Sequence, residues 1–502
     1  MLLEDIAALV VWLVVAVVAI NLVFLCSVLF RRLARGRYFK KKDEARARFQ
    51  PVVEKFIRWE LTQTEAAEAL MPARSRAAED AVRELLLARV TRGTADRITA
   101  LFFALGAVDR WAHAAYGNRS AAVLVSALSV GHIPFPERKR RRVRDALART
   151  RLLYVPRLLA VDALGRLAPD FAEVFALAAL EDPAGEVRRV AIVSLGRNQR
   201  AAGIAPIFGE LREALTEQAG ISARSAKSAL VCYGLKHLRR FVPYLRHRDD
   251  EFRFYVVDIV REICARESRE RKLGRRDFPG ELYAEFLDAL VRDESADVRA
   301  RSAPVVGHFH DLRASMALRH LLTDENEFVR LHAVRAAADP AYPELLPALV
   351  ERMTERRWRV REASVRALAR LGHEAQQMLF REFAASLDRY ESEQMTEELQ
   401  RSGLVEQLLA DLGAGGATAE LALAVCRRMV AVGKTARLRV ELLGEENPEA
   451  RVMLLEAFAS RPNAETAELL QEVALSGENE IAARAAVLLG EMRGRPLATG
   501  AA

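Results

Sequence analysis

An arginine returns along this chain at a near-constant interval. Arg157, Arg188, Arg224, Arg253, Arg299, Arg330, Arg361, Arg451 and Arg484 are separated by 31, 36, 29, 46, 31, 31, 90 and 33 residues. An acid stands six residues before several of them, as in LEDPAGEVRRVAIVSLG (180–196), VRDESADVRARSA (291–303) and LTDENEFVRLHAV (322–334). Softer copies occur at MTERRWRVREASV (353–365) and LGEENPEARVMLL (443–455). A fixed period of this length marks stacked supersecondary units, each unable to bury its apolar face alone. The interval of 90 reads as about three units in which the pattern has faded. The interval of 46 reads as one unit plus a charged insertion over 266–280, RESRERKLGRRDFPG, which ends in a turn signal.

The unit reads as two helices. In 171–197 the first helix is expected to end near Leu180. Asp182 followed by Pro183 predicts a helix start, with an acid for the free backbone N–H groups and a proline preset for the first turn. Val187, Val190, Ala191, Ser194 and Leu195 keep helical spacing on one face, and Gly196 is expected to close the helix. Glycine and proline are sparse (26 and 17 of 502 residues), and no β-branched alternating stretch stands out. The fold class is therefore all-α.

The pairs Asp182/Arg188, Asp293/Arg299 and Asp324/Arg330 resemble HEAT repeats, with Glu355/Arg361, Glu445/Arg451 and Glu478/Arg484 as softer copies. The resemblance covers about 150–372 and 440–493. It implies an α-solenoid of helical hairpins, curved into a right-handed superhelix with second helices lining the concave face. It also implies that Asp182, Arg188, Asp293, Arg299, Asp324, Arg330, Glu355 and Arg361 are structural, the acid and arginine bonding between successive units as an internal ladder. The sequence departs from the pattern where Arg151, Gln218 and His247 occupy acid positions before Arg157, Arg224 and Arg253.

Residues 6–30, IAALVVWLVVAVVAINLVFLCSVLF, carry no charge. As a helix they cross a hydrocarbon core of about 30 Å. An acidic start (Glu4, Asp5) and a long apolar run followed by RRLARGRYFKKK argue for an uncleaved anchor over a signal peptide. Residues 31–48 hold nine basic and two acidic residues. The positive-inside rule then places residues 1–5 outside and the rest in the cytoplasm, with the basic flank on anionic lipid. The expected organisation is a short extracytoplasmic terminus (1–5), an anchor (6–30) and a basic juxtamembrane segment (31–49). Degenerate helical repeats (50–149), the solenoid (150–493) and a flexible tail (494–502) follow. An excess of arginine over lysine fits a GC-rich bacterial genome, hence an inner-membrane protein.

The net charge of +8 comes mainly from 31–48 and from ERKRRRVR at 137–144, so the rest of the chain is near neutral. This argues against a nucleic-acid groove. Cys26, Cys232, Cys264 and Cys426 are scattered without a CxxC pair, which suits reduced thiols. AVGKT (431–435) lacks the first glycine of a phosphate loop, since Arg428 stands there. DLGAGGAT (411–418) lacks the last glycine of a dinucleotide fingerprint, and HEAQQM (373–378) lacks the second histidine of a zinc helix. His308, His310 and Asp311, with His320 and His332 beyond, come nearest to a metal set. The reading assigns no catalytic residue, no metal and no cofactor.

The expectation is a scaffold whose solenoid binds a partner protein, a membrane enzyme or envelope machine such as a polysaccharide synthase or exporter. The alternative is a lyase-like enzyme of the bilin-lyase type, or a HEAT-like enzyme acting on nucleic acid. Candidate contacts to membrane or partner are Arg31, Arg32, Lys40, Lys41, Lys42, Arg140, Arg141, Arg142, Arg275 and Arg276.

Overall fold

The computed structural model describes residues 2–73, 75–91, 93–115, 154–216, 221–386, 388–476 and 480–493. The basic cluster holding Arg140, Arg141 and Arg142, the residues Arg151, Gln218 and Glu478, and the tail 494–502 lie outside them. The described residues contain helices and turns and no strand. Two compact units divide the chain, 1–233 and 234–502.

The first unit opens on one helix, Leu2–Ile57, unbroken through Pro51. At 1.5 Å per residue it is about 84 Å long. Its apolar portion is bare: Phe24 and Phe30 are 69% and 73% exposed. By length and composition it is able to cross a membrane. The other end of the same helix is a core element, where Phe49, Val53 and Phe56 are buried. It packs along the helix Arg76–Leu87. Thus the basic segment 31–49 continues the apolar portion within one helix. Arg97 ties the end of this helix to Ala95–Ala104, its guanidinium lying 4.4 Å from the Phe56 ring and 3.9 Å from Trp59. The following hairpins are joined in turn: the Thr99 hydroxyl accepts from Ala168 N–H at 2.7 Å.

From Tyr154 onward hairpins follow one another, as in Pro169–Ala179 with Gly185–Asn198. Asp182 does not cap that second helix directly. The helix begins at Gly185, two residues after Pro183, and the Asp182 carboxylate accepts from Ala184 N–H at 2.8 Å inside the connecting turn. Gly196 does not end the helix either, which runs on to Asn198 and stops at left-handed Gln199. Its role is closeness: a Cβ there would lie 2.8 Å from the Ala229 backbone on the helix Ala223–Val231. Gly165 meets Ser194 in the same way one repeat earlier. Small residues therefore set the spacing between neighbouring second helices.

In the second unit the second helices are Asp250–Glu267, Ala296–Val306, Glu327–Ala337, Trp358–Arg370, Arg389–Arg401, Gly416–Val432, Pro448–Ala459 and Glu480–Arg493. Val298, Val329 and Val360, each one residue before a recurring arginine, are fully buried. Several helix starts are side-chain capped: Asp249, Asp311, Asn326 and Asn463 each accept from backbone N–H groups of the first turn. The charged insertion 266–280 is anchored rather than solvated. Leu273 and Phe278 are buried, Phe278 meets the Phe309 ring edge-on at 4.9 Å, and Arg275 N–H donates to the Phe309 carbonyl at 3.0 Å.

Candidate protein-interaction face

Most of the recurring arginines are buried or half-buried. Arg157 forms a two-toothed bond to Asp182 at 2.9 and 3.0 Å, Arg299 to Asp324 at 2.8 and 3.0 Å, and Arg330 to Glu355 at 3.0 and 2.9 Å. Each of these partners is 25 residues ahead. Arg253 reaches Asp293 across the insertion, 40 residues ahead, at 2.8 and 2.7 Å. Five of the arginines also use Nη1 within their own unit: Arg188 donates to Asp182 O, Arg253 to His247 O, Arg299 to Asp293 O, Arg330 to Asp324 O and Arg361 to Glu355 O. Only a carbonyl is needed there, so a histidine at 247 does not stop Arg253 from bonding. Each rung aspartate in turn braces its own loop, as Asp293 does with Ser295 N–H and Asp324 with Asn326 N–H, both at 2.9 Å.

The rungs differ in charge balance. Burial pushes Asp324 up, but the bonds from Arg299 and Asn326 N–H and the Arg299 charge outweigh it and hold the carboxyl below its ordinary value. Arg188 instead meets Glu210 at 3.3 Å, and burial pushes that carboxyl up to about 6 against the pull of Arg188. Beyond Arg330 the pattern loosens. Arg361 donates to the Gln394 amide oxygen at 3.2 Å, Arg451 to the Leu442 carbonyl at 3.0 Å, and Arg484 is exposed, 3.6 Å from Glu456. Arg224 is exposed as well.

Charged residues on the second helices of unit two form two groups, each linked from helix to helix. Asp258 is bound by Arg261 at 2.7 Å and lies 3.6 Å from Arg301 on the next helix. Arg366 binds Glu362 at 2.8 Å on its own helix and Glu398 at 2.9 Å on the next. Lys434 reaches back to Glu397 at 3.1 Å. Between Trp358–Arg370 and Arg389–Arg401 lies a groove. Val365 and buried Met395 line it, Glu362, Glu397 and Glu398 rim it, and Trp358 stands on its edge, 49% exposed.

Other sequence candidates fall elsewhere. Arg31, Arg32, Lys40 and Lys41 are exposed, whereas Lys42 is tied to Glu84 at 2.6 Å. Arg275 lies flat on Tyr283 at 3.9 Å and donates to Phe278 O, while Arg276 stays exposed. Asp311 caps its helix and accepts from Tyr283 Oη at 2.7 Å, and His310 is 3.3 Å from Asp339. Among the described residues no three His, Cys, Asp or Glu side chains gather as a metal site. Gly433 is a left-handed helix end, and Lys434 is engaged with Glu397, so AVGKT forms a helix terminus. Burial pushes the Cys264 and Cys426 thiols up to about 12, which leaves them unreactive.

Residues 283–391, which hold Arg299, Arg330 and Arg361, match the family described as HEAT repeats. No curated protein matches the chain. Among solved structures it is similar to importin beta in an ammonium sulfate condition (14% identity, 91% of this chain and 70% of that chain, TM-score 0.33). It is also similar to the Pds5–Scc1 complex structure (12% identity, 90% of this chain and 81% of that one, TM-score 0.33). A third likeness is to human deoxyhypusine hydroxylase in complex with glycerol (17% identity, 54% and 99%, TM-score 0.22).

Proposed function

We propose that this chain, a HEAT-repeat solenoid protein with one apolar amino-terminal helix, is a membrane-anchored scaffold that binds a partner protein on the second-helix face of its second unit. The observation that carries this reading is Trp358. A half-exposed tryptophan beside an apolar-floored groove is the residue type and setting that dominates protein–protein binding energy. The rungs up to Arg330 hold units together, while Arg361 with its uncharged partner Gln394 opens onto the groove itself. Solenoids use such extended faces for binding.

The anchoring half of the reading rests on the bare apolar portion of Leu2–Ile57, whose exposed side chains suit lipid. Exposed Arg31, Arg32, Lys40 and Lys41 follow it and favour the cytoplasmic leaflet. The solenoid then lies in the cytoplasm of a bacterium, and the partner is a membrane enzyme or envelope machine, met at the raised effective concentration that a shared membrane gives.

Two outcomes are expected. A chain comprising residues 34–502 keeps the Lys42–Glu84 pair and should stay in the supernatant after ultracentrifugation, whereas the full chain sediments with membranes and resists carbonate extraction. A full chain released by carbonate would overturn the anchor. Trp358→Ala should remove the cross-linked partner, read by quantitative mass spectrometry of detergent-solubilised membranes, while leaving thermal melting unchanged. Undiminished partner recovery with Trp358→Ala would dismiss the groove as the binding site.

A further inference from the structure

One stretch of the second-helix face is out of charge balance. To one side Arg261 and Arg301 share Asp258, and to the other Arg366, Glu362, Glu398, Arg401, Glu397 and Lys434 form a closed exchange of opposite charges. Between them lies the helix Glu327–Ala337, which presents His332 and Arg335. Arg335 is exposed and enters no ion pair among the described residues. His332 is half-buried, and burial together with the charges of Arg301, Arg335 and Arg261 pushes it down to about 4. It is therefore neutral at physiological pH, and it reports that all three guanidinium groups face the same small region. Asp258 offers Arg301 only a 3.6 Å approach, its short bond being spent on Arg261. Glu262 also lies 3.5 Å from Arg261, so two acids meet Arg261 and Arg301 and the surplus positive charge is that of Arg335.

We propose that Arg335 and Arg301 are the seat for a carboxylate on an acidic segment of the partner protein, laid across the second-helix face with an apolar side chain beside Trp358. This rests on the scaffold reading above and adds the chemistry of what is bound. Arg335 stands one helix from Trp358 and Arg301 two. Packed helices sit about 10 Å apart, and Arg335 lies eight residues further along its helix than Trp358 along its own, about 12 Å at 1.5 Å per residue. An extended chain covers the resulting span of about 16 Å in about five residues. Neither half suffices alone: an ion pair at an exposed arginine contributes little, and one tryptophan binds any apolar side chain. Together they select an acidic residue and an apolar one at short spacing.

The test uses the full-length protein in detergent micelles and three fluorescein-labelled peptides read by polarisation: Glu-Glu-Leu-Phe-Glu-Glu, Lys-Lys-Leu-Phe-Lys-Lys and Gly-Ser-Leu-Phe-Gly-Ser. The acidic peptide should bind at least about tenfold more tightly than the basic one. Arg335→Glu should weaken the acidic peptide by about tenfold and leave the neutral one unchanged. Arg335→Lys should keep part of the affinity, since the charge is retained. Arg335 makes no bond within the described residues, so melting should not change, and a circular-dichroism melt of each variant verifies this. Equal binding of the acidic peptide to wild type and Arg335→Glu, or preference for the basic peptide, would overturn the inference. If Trp358→Ala still weakens the peptides in that case, the groove reading survives without it. If Trp358→Ala weakens none of them, the groove reading itself falls.

Discussion

Arg299→Ala is expected to lower the unfolding free energy of the second unit by about 3–5 kcal/mol, the cost of breaking a buried ion pair from one side. The side chain is 11% exposed and its partner Asp324 is 7% exposed. Removing the guanidinium strands a buried carboxylate and also leaves the carbonyls of Asp293 and Glu294 without their donor. The double variant Arg299→Ala/Asp324→Ala should recover part of the loss, because no uncompensated charge then remains. Urea unfolding followed by circular dichroism measures both. Acid adds a second readout. Asp324 is held below its ordinary value in the folded state. Its stabilisation is therefore complete above the unfolded value of about 3.9 and is lost as pH falls through the folded value. Without Arg299 the depression shrinks, and acid unfolding should begin at higher pH. Equal stability of wild type and Arg299→Ala at neutral pH would show that the rung carries no weight.

Phe309→Ala should cost a similar amount, about 3–5 kcal/mol. Phe309 is 1% exposed and sits among Phe278, Tyr283 and Phe286, with ring centroids at 4.9, 5.0 and 6.3 Å. It is the post to which the 266–280 insertion is fastened, both by Phe278 and by the backbone bond from Arg275. Loss of the ring should therefore release the insertion as well as open a cavity. Arg269, Arg271 and Arg276 supply trypsin sites in this segment. Limited trypsinolysis of the wild type should spare it, and the Phe309→Ala protein should be cut there first. Equal cleavage in both would mean that the insertion is not fastened through Phe309.

The helical-hairpin architecture was legible because it is written twice, once in apolar spacing and once in the interval between arginines. The pairing direction within a rung was less so. The acid six residues before an arginine contributes its carbonyl to that arginine, and gives its carboxylate to the arginine of the unit before. Spacing alone does not distinguish the two. Gly196 read as a helix end because glycine is favoured there, yet its meaning lies in a neighbour 33 residues ahead, Ala229, which no local pattern encodes. The insertion read only as charged and turn-terminated, because its charges are conspicuous. Leu273 and Phe278, the two residues that fasten it, are too few to give a periodic signal. The interaction face was the least legible. Trp358 was visible as a residue, but the groove beside it needs Met395 and Glu398 from the next hairpin. Arg335 stood out only once its neighbours were seen to be paired.

The ladder has an arrow. In every two-toothed rung the guanidinium precedes its carboxylate along the chain: Arg157 before Asp182, Arg253 before Asp293, Arg299 before Asp324 and Arg330 before Glu355. As the chain leaves the ribosome, each new unit thus ends on a cation that waits for an anion still to be made. Waiting is cheap, because a guanidinium at a growing end stays hydrated and already holds the carbonyls of its own turn. The arriving acid comes with its loop partner in sequence beside it and closes the rung as soon as its unit emerges. The charge order therefore suits growth in which each new hairpin docks onto a charge already in place. The order of synthesis is the order in which the stack can be completed.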